Sequence, residues 1–198
     1  MREGILLVPI GPVSADLLAW LAERLGAIVR DGVTIGEEIP LPEGSYDPQR
    51  RQYQGDALLA RLRALPSVTA GRVLGLADAD CTTQGLNFIF GQAAIDGREA
   101  FVALPRLRPS FYGQPRSREL FRQRVVKEAV HELGHTWGLS HCPNPRCVMY
   151  FSNTLHDTDT KGVDFCSDCQ DQMKGIGEKS LNVGQPPPSG DLSSARSG

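Results

Sequence analysis

The chain has 198 residues, a net charge of −2 and 40% hydrophobic residues, one domain's length with enough apolar side chains for a core. Acidic and basic residues are mixed along it, and no run approaches the roughly 18 apolar residues of a membrane span. These features argue against a nucleic-acid partner and against a membrane protein.

Residues 4–10 form a short apolar run that reads as a buried strand. Met1 to Gly4 lead straight into it, so no secretory signal is expected and the cytoplasm is the expected compartment. Ser14 caps a helix in which Leu17, Leu18, Leu21, Ala22 and Leu25 recur at helical spacing up to Gly26. Residues 27–35 alternate and read as a strand, whereas 36–54, with Pro40, Pro42, Gly44 and Pro48, read as a long loop. A helix is predicted over 55–65 through Leu58, Leu59 and Leu62, and a strand over 73–77. Asp78 and Asp80 follow as turn-capping residues, with an ion site as the alternative. Short strands are predicted at 86–90 and 100–104. Ser117 then opens a helix through Leu120, Phe121, Val125, Val126 and Val130. Arg106, Arg108, Arg116, Arg118, Arg122 and Arg124 cluster around its start and read as a solvated face plus caps, the alternative being a site for a substrate carboxylate. Residues 150–165 are polar. His156 reads there as a solvated loop residue, a cleft or oxyanion role shared with Asn153 and Thr154 being the alternative. The order β-α-β-α-β-β-β-α predicts an α+β (α/β-like) mixed sheet with helices on one side. Residues 1–183 are expected to be one domain, with subdomains of about 1–138 and 139–183, and the Pro-, Ser- and Gly-rich stretch 184–198 a disordered tail.

Three of the four histidines fall in one stretch, His131-Glu132-Leu133-Gly134-His135-Thr136-Trp137-Gly138-Leu139-Ser140-His141. Residues four apart share a helix face, so His131 and His135 can aim ring nitrogens at one ion. Glu132 lies about 100° round the helix, placed to reach a water on the open side of the metal rather than to ligate it. On a continued helix His141 would be about 9 Å further along the axis. Gly138, cheap in a left-handed conformation, ends the helix and turns the chain back. Three protein ligands with a fourth position for water form the catalytic rather than the structural zinc pattern, in which zinc brings the water's pKa to about 7. Glu132 then has the place of the general acid/base.

Four of the five cysteines follow as Cys142, Cys147, Cys166 and Cys169, C-x4-C and then C-x2-C across a loop. This spacing suits a closed, structural Zn(Cys)₄ site. The alternatives are two disulfides, which need an oxidising compartment, and a redox C-x2-C, which expects a thioredoxin-like βα turn that the sequence lacks. Cys81 is left as a buried or half-buried free thiol.

H-E-x-x-H-x-x-G-x-x-H is the zinc signature of the metzincin metallopeptidases, and its fusion to Cys142 resembles one family among them, the archaemetzincins. Met149 stands two residues after the second cysteine, as in that family's pattern, while the loop from Met149 to Cys166 is one residue shorter than the family spacing. Residues 5–11 and the run Arg51, Gln52, Tyr53 also look family-like. The resemblance implies a metzincin-type twisted mixed sheet over the zinc helix, a C-terminal subdomain stabilised by the cysteine zinc, and Met149 in a turn beneath the catalytic zinc. It further implies an edge strand lining the cleft and able to pair with an extended peptide, for which 85–92 is the candidate.

Two zinc ions per chain are therefore expected, one at His131, His135 and His141 and one at Cys142, Cys147, Cys166 and Cys169, with Gly138 and Met149 as support. The expected activity is peptide-bond hydrolysis of narrow specificity on a peptide or protein segment, by a chain taken as monomeric, with no nucleic-acid or membrane partner. The alternative is a zinc-binding protein with vestigial activity or hydrolysis of another amide; Glu132 argues against a purely structural site, which needs no base.

Overall fold

The computed structural model describes residues 4–30, 32–66, 71–95 and 97–182. In chain order the elements are β1 (Ile5–Ile10), α1 (Ala15–Val29), β2 (Val33–Ile35), β3 (Tyr46–Asp47), β4 (Gln52–Gln54), α2 (Gly55–Arg63), β5 (Arg72–Ala77), β6 (Cys81–Thr82), β7 (Gly91–Ala93), β8 (Glu99–Ala103), α3 (Arg118–Thr136), α4 (Leu155–Thr160) and α5 (Ser167–Asn182). The tail expected at 184–198 lies outside the described residues.

Five strands form a mixed sheet in the order β2-β1-β5-β8-β7. The first four are parallel, and β7 runs antiparallel on β8 at the edge. Alternation along the strands divides the core. Ile5, Leu7, Leu74, Leu76, Ala100 and Val102 pack with Leu17, Leu18, Leu21 and Leu25 of α1 and Val125, Val126, Ala129, Val130 and Leu133 of α3. Val8, Ile10, Val73, Ala77, Phe101 and Ala103 pack with Leu58, Leu59 and Leu62 of α2. Helices therefore cover both faces, not one as the element order suggested. A parallel sheet buries both faces, and each fully buried Leu or Val adds about 1.5–3 kcal/mol. Among the described residues no helix is long and apolar enough to cross a membrane.

Several boundaries differ from the sequence expectation. α1 continues past Gly26 to Val29, because Ile28 and Val29 pack on the core, and it ends at Arg30 in a left-handed conformation, φ 54°. The strand expected over 27–35 shrinks to Val33–Ile35. The expected loop 36–54 holds two short strands, and β3-β4-β6 form a second small sheet. Residues 86–90 make only a bridge between Ile89 and Cys81, and regular pairing begins at Gly91. The polar stretch 150–165 contains α4, closed by a reciprocal capping box between Thr154 and Asp157.

The helix that matters most for the site is α3. Ser117 caps it, accepting a hydrogen bond at Oγ from the Leu120 N–H at 3.2 Å. It lies along β8 and β7 and ends at Thr136, one turn beyond Glu132.

Candidate active site

The last two turns of α3 carry His131, Glu132 and His135, all buried at 4%, 5% and 8% exposure. Gly138 takes φ 82°, the left-handed turn its position anticipated, and the Gly138 and Leu139 N–H groups donate back to the His135 and Gly134 carbonyls. The reversed chain brings His141 to the other two, with ring centroids 5.4 Å from His131 and 4.8 Å from His135. One ligand nitrogen from each histidine lies within 4.8 Å of the others.

The tautomers follow from the partners. His131 Nδ1 is 2.8 Å from the Val148 carbonyl oxygen, and His135 Nδ1 is 2.7 Å from that of Leu139. A carbonyl only accepts, so both Nδ1 atoms carry the proton. Burial holds both imidazoles below their usual range and so neutral. Each Nε2 is therefore a bare lone pair, and the two stand 3.2 Å apart. Two lone pairs at that distance repel unless a cation lies between them. Zinc–nitrogen bonds of about 2.0–2.1 Å give a tetrahedral edge of about 3.3 Å, so the donor set fits zinc.

Glu132 lies against the edge strand. A Cβ on Gly91 would stand 2.6 Å from Glu132 Oε1 and 2.7 Å from its Cγ, so the carboxylate occupies the space that glycine leaves. Burial pushes the Glu132 carboxyl well above its usual range, the charge of Glu128 adds to this, and Lys161 opposes it. Met149 is fully buried, its Sδ in the space a Cβ on Gly134 would need. The Met149 carbonyl accepts from Cys142 N–H at 2.9 Å, which ties this turn to the residue after His141.

The four cysteines converge next to the histidines, with sulfur atoms within 4.8 Å of one another. Cys142–Cys166 and Cys147–Cys169 are 3.7 Å apart, far from a disulfide bond of about 2.05 Å. Zinc–sulfur bonds of about 2.3 Å give a tetrahedral edge of about 3.8 Å, which both of these pairs match. Cys166 precedes α5, and the Cys169 N–H lowers its thiol pKa, favouring the thiolate a metal needs. Cys81 is buried, as expected.

A cleft of about 380 Å³ opens over the histidines. One wall is the segment from Leu86 to Ala93, the other is Phe151, Ser152 and Asn153, and Glu128, His131, Glu132, His135 and His141 form the floor. Leu86, Ile95 and Phe151 expose large apolar surfaces into it. The Phe151 ring lies on His141, centroids 4.7 Å apart. Of the three loop residues singled out in the sequence, Asn153 lines the cleft, Thr154 caps α4, and His156 is exposed and outside it.

The arginines are not simply a solvated face. Arg106 pairs with Asp80, Arg108 with Asp78, Arg118 and Arg122 with Asp16, and the buried Arg124 with Asp159. Asp78 and Asp80 thus serve as anchors for the chain before α3. Sequence reasoning missed Glu128, Gly91, Phe151 and Lys161. Glu128 carried a signal, since it lies one helical turn before Glu132. Lys161, in a polar run, carried none.

Residues 31–175 match the family model described as Peptidase family M54. The chain is 43% identical over 175 residues to the archaemetzincin of Pyrococcus furiosus, covering 85% of this chain and 91% of that one. The crystal structure of the Methanopyrus kandleri archaemetzincin superposes with a TM-score of 0.78 at 36% identity, covering 89% and 96% of the two chains. A zinc-dependent peptidase from Methanocorpusculum labreanum superposes with a TM-score of 0.76 at 28% identity, over 86% and 100%.

Proposed function

The chain belongs to peptidase family M54, the archaemetzincins, and is a zinc metallopeptidase; on that premise we propose that His131, His135 and His141 hold the catalytic zinc and that Glu132 is the general acid/base. The observation that carries this reading is the pair of bare Nε2 atoms 3.2 Å apart at the floor of an open cleft, with the Glu132 carboxylate beside them. Zinc held by three imidazoles brings the pKa of water to about 7 and polarises a carbonyl.

The remaining steps belong to the protein. Val148 and Leu139 fix the tautomers, so both Nε2 atoms are always available as ligands. Glu132 takes the proton of the attacking water and delivers it to the leaving amine nitrogen. Its raised carboxyl pKa suits it to hold that proton in between. Gly91, Gln92 and Ala93 lie both in the cleft wall and at the sheet edge, which supports binding of the peptide as an added strand on β7. Leu86, Ile95 and Phe151 give that peptide apolar side-chain contacts, and the modest cleft supports narrow specificity. A second zinc at Cys142, Cys147, Cys166 and Cys169 is structural, holding the chain after His141 on α5.

The test is digestion of a peptide library by the zinc-loaded protein, with products read by mass spectrometry beside Glu132→Ala. Wild-type cleavage that disappears in a variant retaining its zinc supports the assignment, with a loss of about 10²–10⁴ from removal of a general base. Loss of zinc in Glu132→Ala, or an inert wild type carrying both metals, refutes it.

A further inference from the structure

Lys161 has a side chain with no solvent exposure, and Glu128, its partner at 3.0 Å, is 3% exposed. Glu128 lies on α3 one turn before Glu132 and three residues before His131, and it lines the cleft. Its Oε1 accepts from Lys161 Nζ and, at 2.9 Å, from Thr158 Oγ1. Lys161 Nζ also donates to the Tyr150 carbonyl at 3.4 Å. Tyr150 sits between the buried Met149, whose carbonyl accepts from the Cys142 N–H, and Phe151, whose ring lies on His141. One ammonium therefore joins the floor of the cleft to the wall that follows Met149.

Stability alone does not account for this pair. Two charges removed from water lose hydration that their attraction barely restores, and apolar residues of like volume are commonly as stable. The same strap is already tied elsewhere: Arg124 makes a bidentate pair with Asp159, and Lys127 Nζ donates to the Thr158 and Asp159 carbonyls. Those bonds hold α4 to α3 without reaching Tyr150. What Lys161 adds is a directional bond to the carbonyl next to the cleft wall, and an apolar side chain cannot make it.

We propose that Lys161, through Glu128 and the Tyr150 carbonyl, is a positioning residue that sets the Phe151–Asn153 wall and the seat of His141 without touching substrate. The consequence for activity rests on the peptidase reading above; the consequence for the histidine site does not.

The test uses full-length protein with its cysteine site zinc-filled, in two forms: Lys161→Met, and Lys161→Met with Glu128→Leu, which replaces the pair by apolar volume. Three properties are read: melting temperature, the visible spectrum of Co²⁺ placed at the histidine site, and kcat/KM on a peptide that the wild type cleaves. Lys161→Met leaves Glu128 buried without its cation and is expected to melt low. The double variant is expected to regain wild-type melting yet keep an altered cobalt spectrum and a kcat/KM reduced about tenfold or more, because misplacement rather than instability is the defect. A double variant with the wild-type cobalt spectrum overturns the proposal, since the seat of His141 then does not depend on the pair. An inert wild type would defeat the peptidase reading alone, leaving the spectrum to decide this inference.

Discussion

Glu132 and Gly91 are packed so closely that one methyl group at position 91 would stand 2.6 Å from the carboxylate Oε1 and 2.7 Å from the Phe101 carbonyl oxygen. The proposed general base and the edge strand thus define each other's position. Gly91→Ala should push the Glu132 carboxylate away from the cleft floor while leaving the three histidines in place. The expected result is full zinc content with kcat/KM reduced by about 10²-fold, the cost of a misplacement near 1 Å. Overpacking against a backbone oxygen should also cost about 1–3 kcal/mol of stability. Zinc analysis, urea unfolding and peptide kinetics on one preparation check the three parts together; wild-type kinetics would show that Glu132 does not need this space.

A second close approach lies within α3, where Met149 Sδ fills the space left by Gly134. Helix propensity alone favours Gly134→Ala by about 1 kcal/mol, since glycine is costly inside α3. Packing should reverse that sign, because the new methyl meets Met149 and, at 3.1 Å, Phe165 Cε1. The expected effect is a net loss of about 1–3 kcal/mol. Met149→Ala alone should cost about 2–5 kcal/mol through the cavity it leaves. Combined, the two changes should be less damaging than their sum, since the methyl at 134 partly fills that cavity. Denaturant titration of the two single variants and the double supplies the cycle; strict additivity would mean the residues do not share the space.

The histidine and cysteine ligand candidates could be read from the chain because each motif is local. Helical spacing sets His131 against His135, and one glycine supplies the reversal that returns His141. Contacts between distant segments could not be read in this way. Gly91 and Glu132 meet only once β7 lies on α3, and Lys161 reaches Glu128 only after the chain has passed Met149. The sheet shows the same division. β1 and β5 are buried on both faces and give plain apolar runs. β3 and β4 owe their extended form to pairing with each other and with β6, so proline-rich flanks hid them. α4 was legible in principle, since Thr154 and Asp157 have capping-box spacing, but its six residues show too little apolar periodicity to suggest a helix.

Cys81 should behave unlike the other four cysteines. It is fully buried, donates to the Ala79 carbonyl at 3.4 Å, and burial with the neighbouring Asp80 charge pushes its thiol up to about 12. The thiolate is the reactive form, so almost none is present at pH 8. In zinc-replete native protein, iodoacetamide at pH 8 is expected to leave Cys81 unmodified over hours, and to modify it promptly once the fold is opened by denaturant. Peptide mapping by mass spectrometry reads this directly. Fast native labelling would mean that the β6 region opens readily.

Cys166→Ser tests the tetrad without changing the chain next to His141, because Cys166 lies just before α5. A closed tetrahedral zinc contributes folding free energy outright, so removal of one thiolate should cost about 3 kcal/mol or more and lower the melting temperature. Zinc content should fall from two to one per chain, the remaining ion belonging to His131, His135 and His141. Below its melting temperature the variant should keep kcat/KM within a few-fold of wild type, since the cysteine site has no open position for substrate. A strong chelator should reproduce the destabilisation in wild-type protein, while a reductant should leave it unaffected, because the paired sulfurs stand 3.7 Å apart and form no disulfide. Unchanged melting on Cys166→Ser, or destabilisation by reductant alone, would remove the structural-zinc assignment.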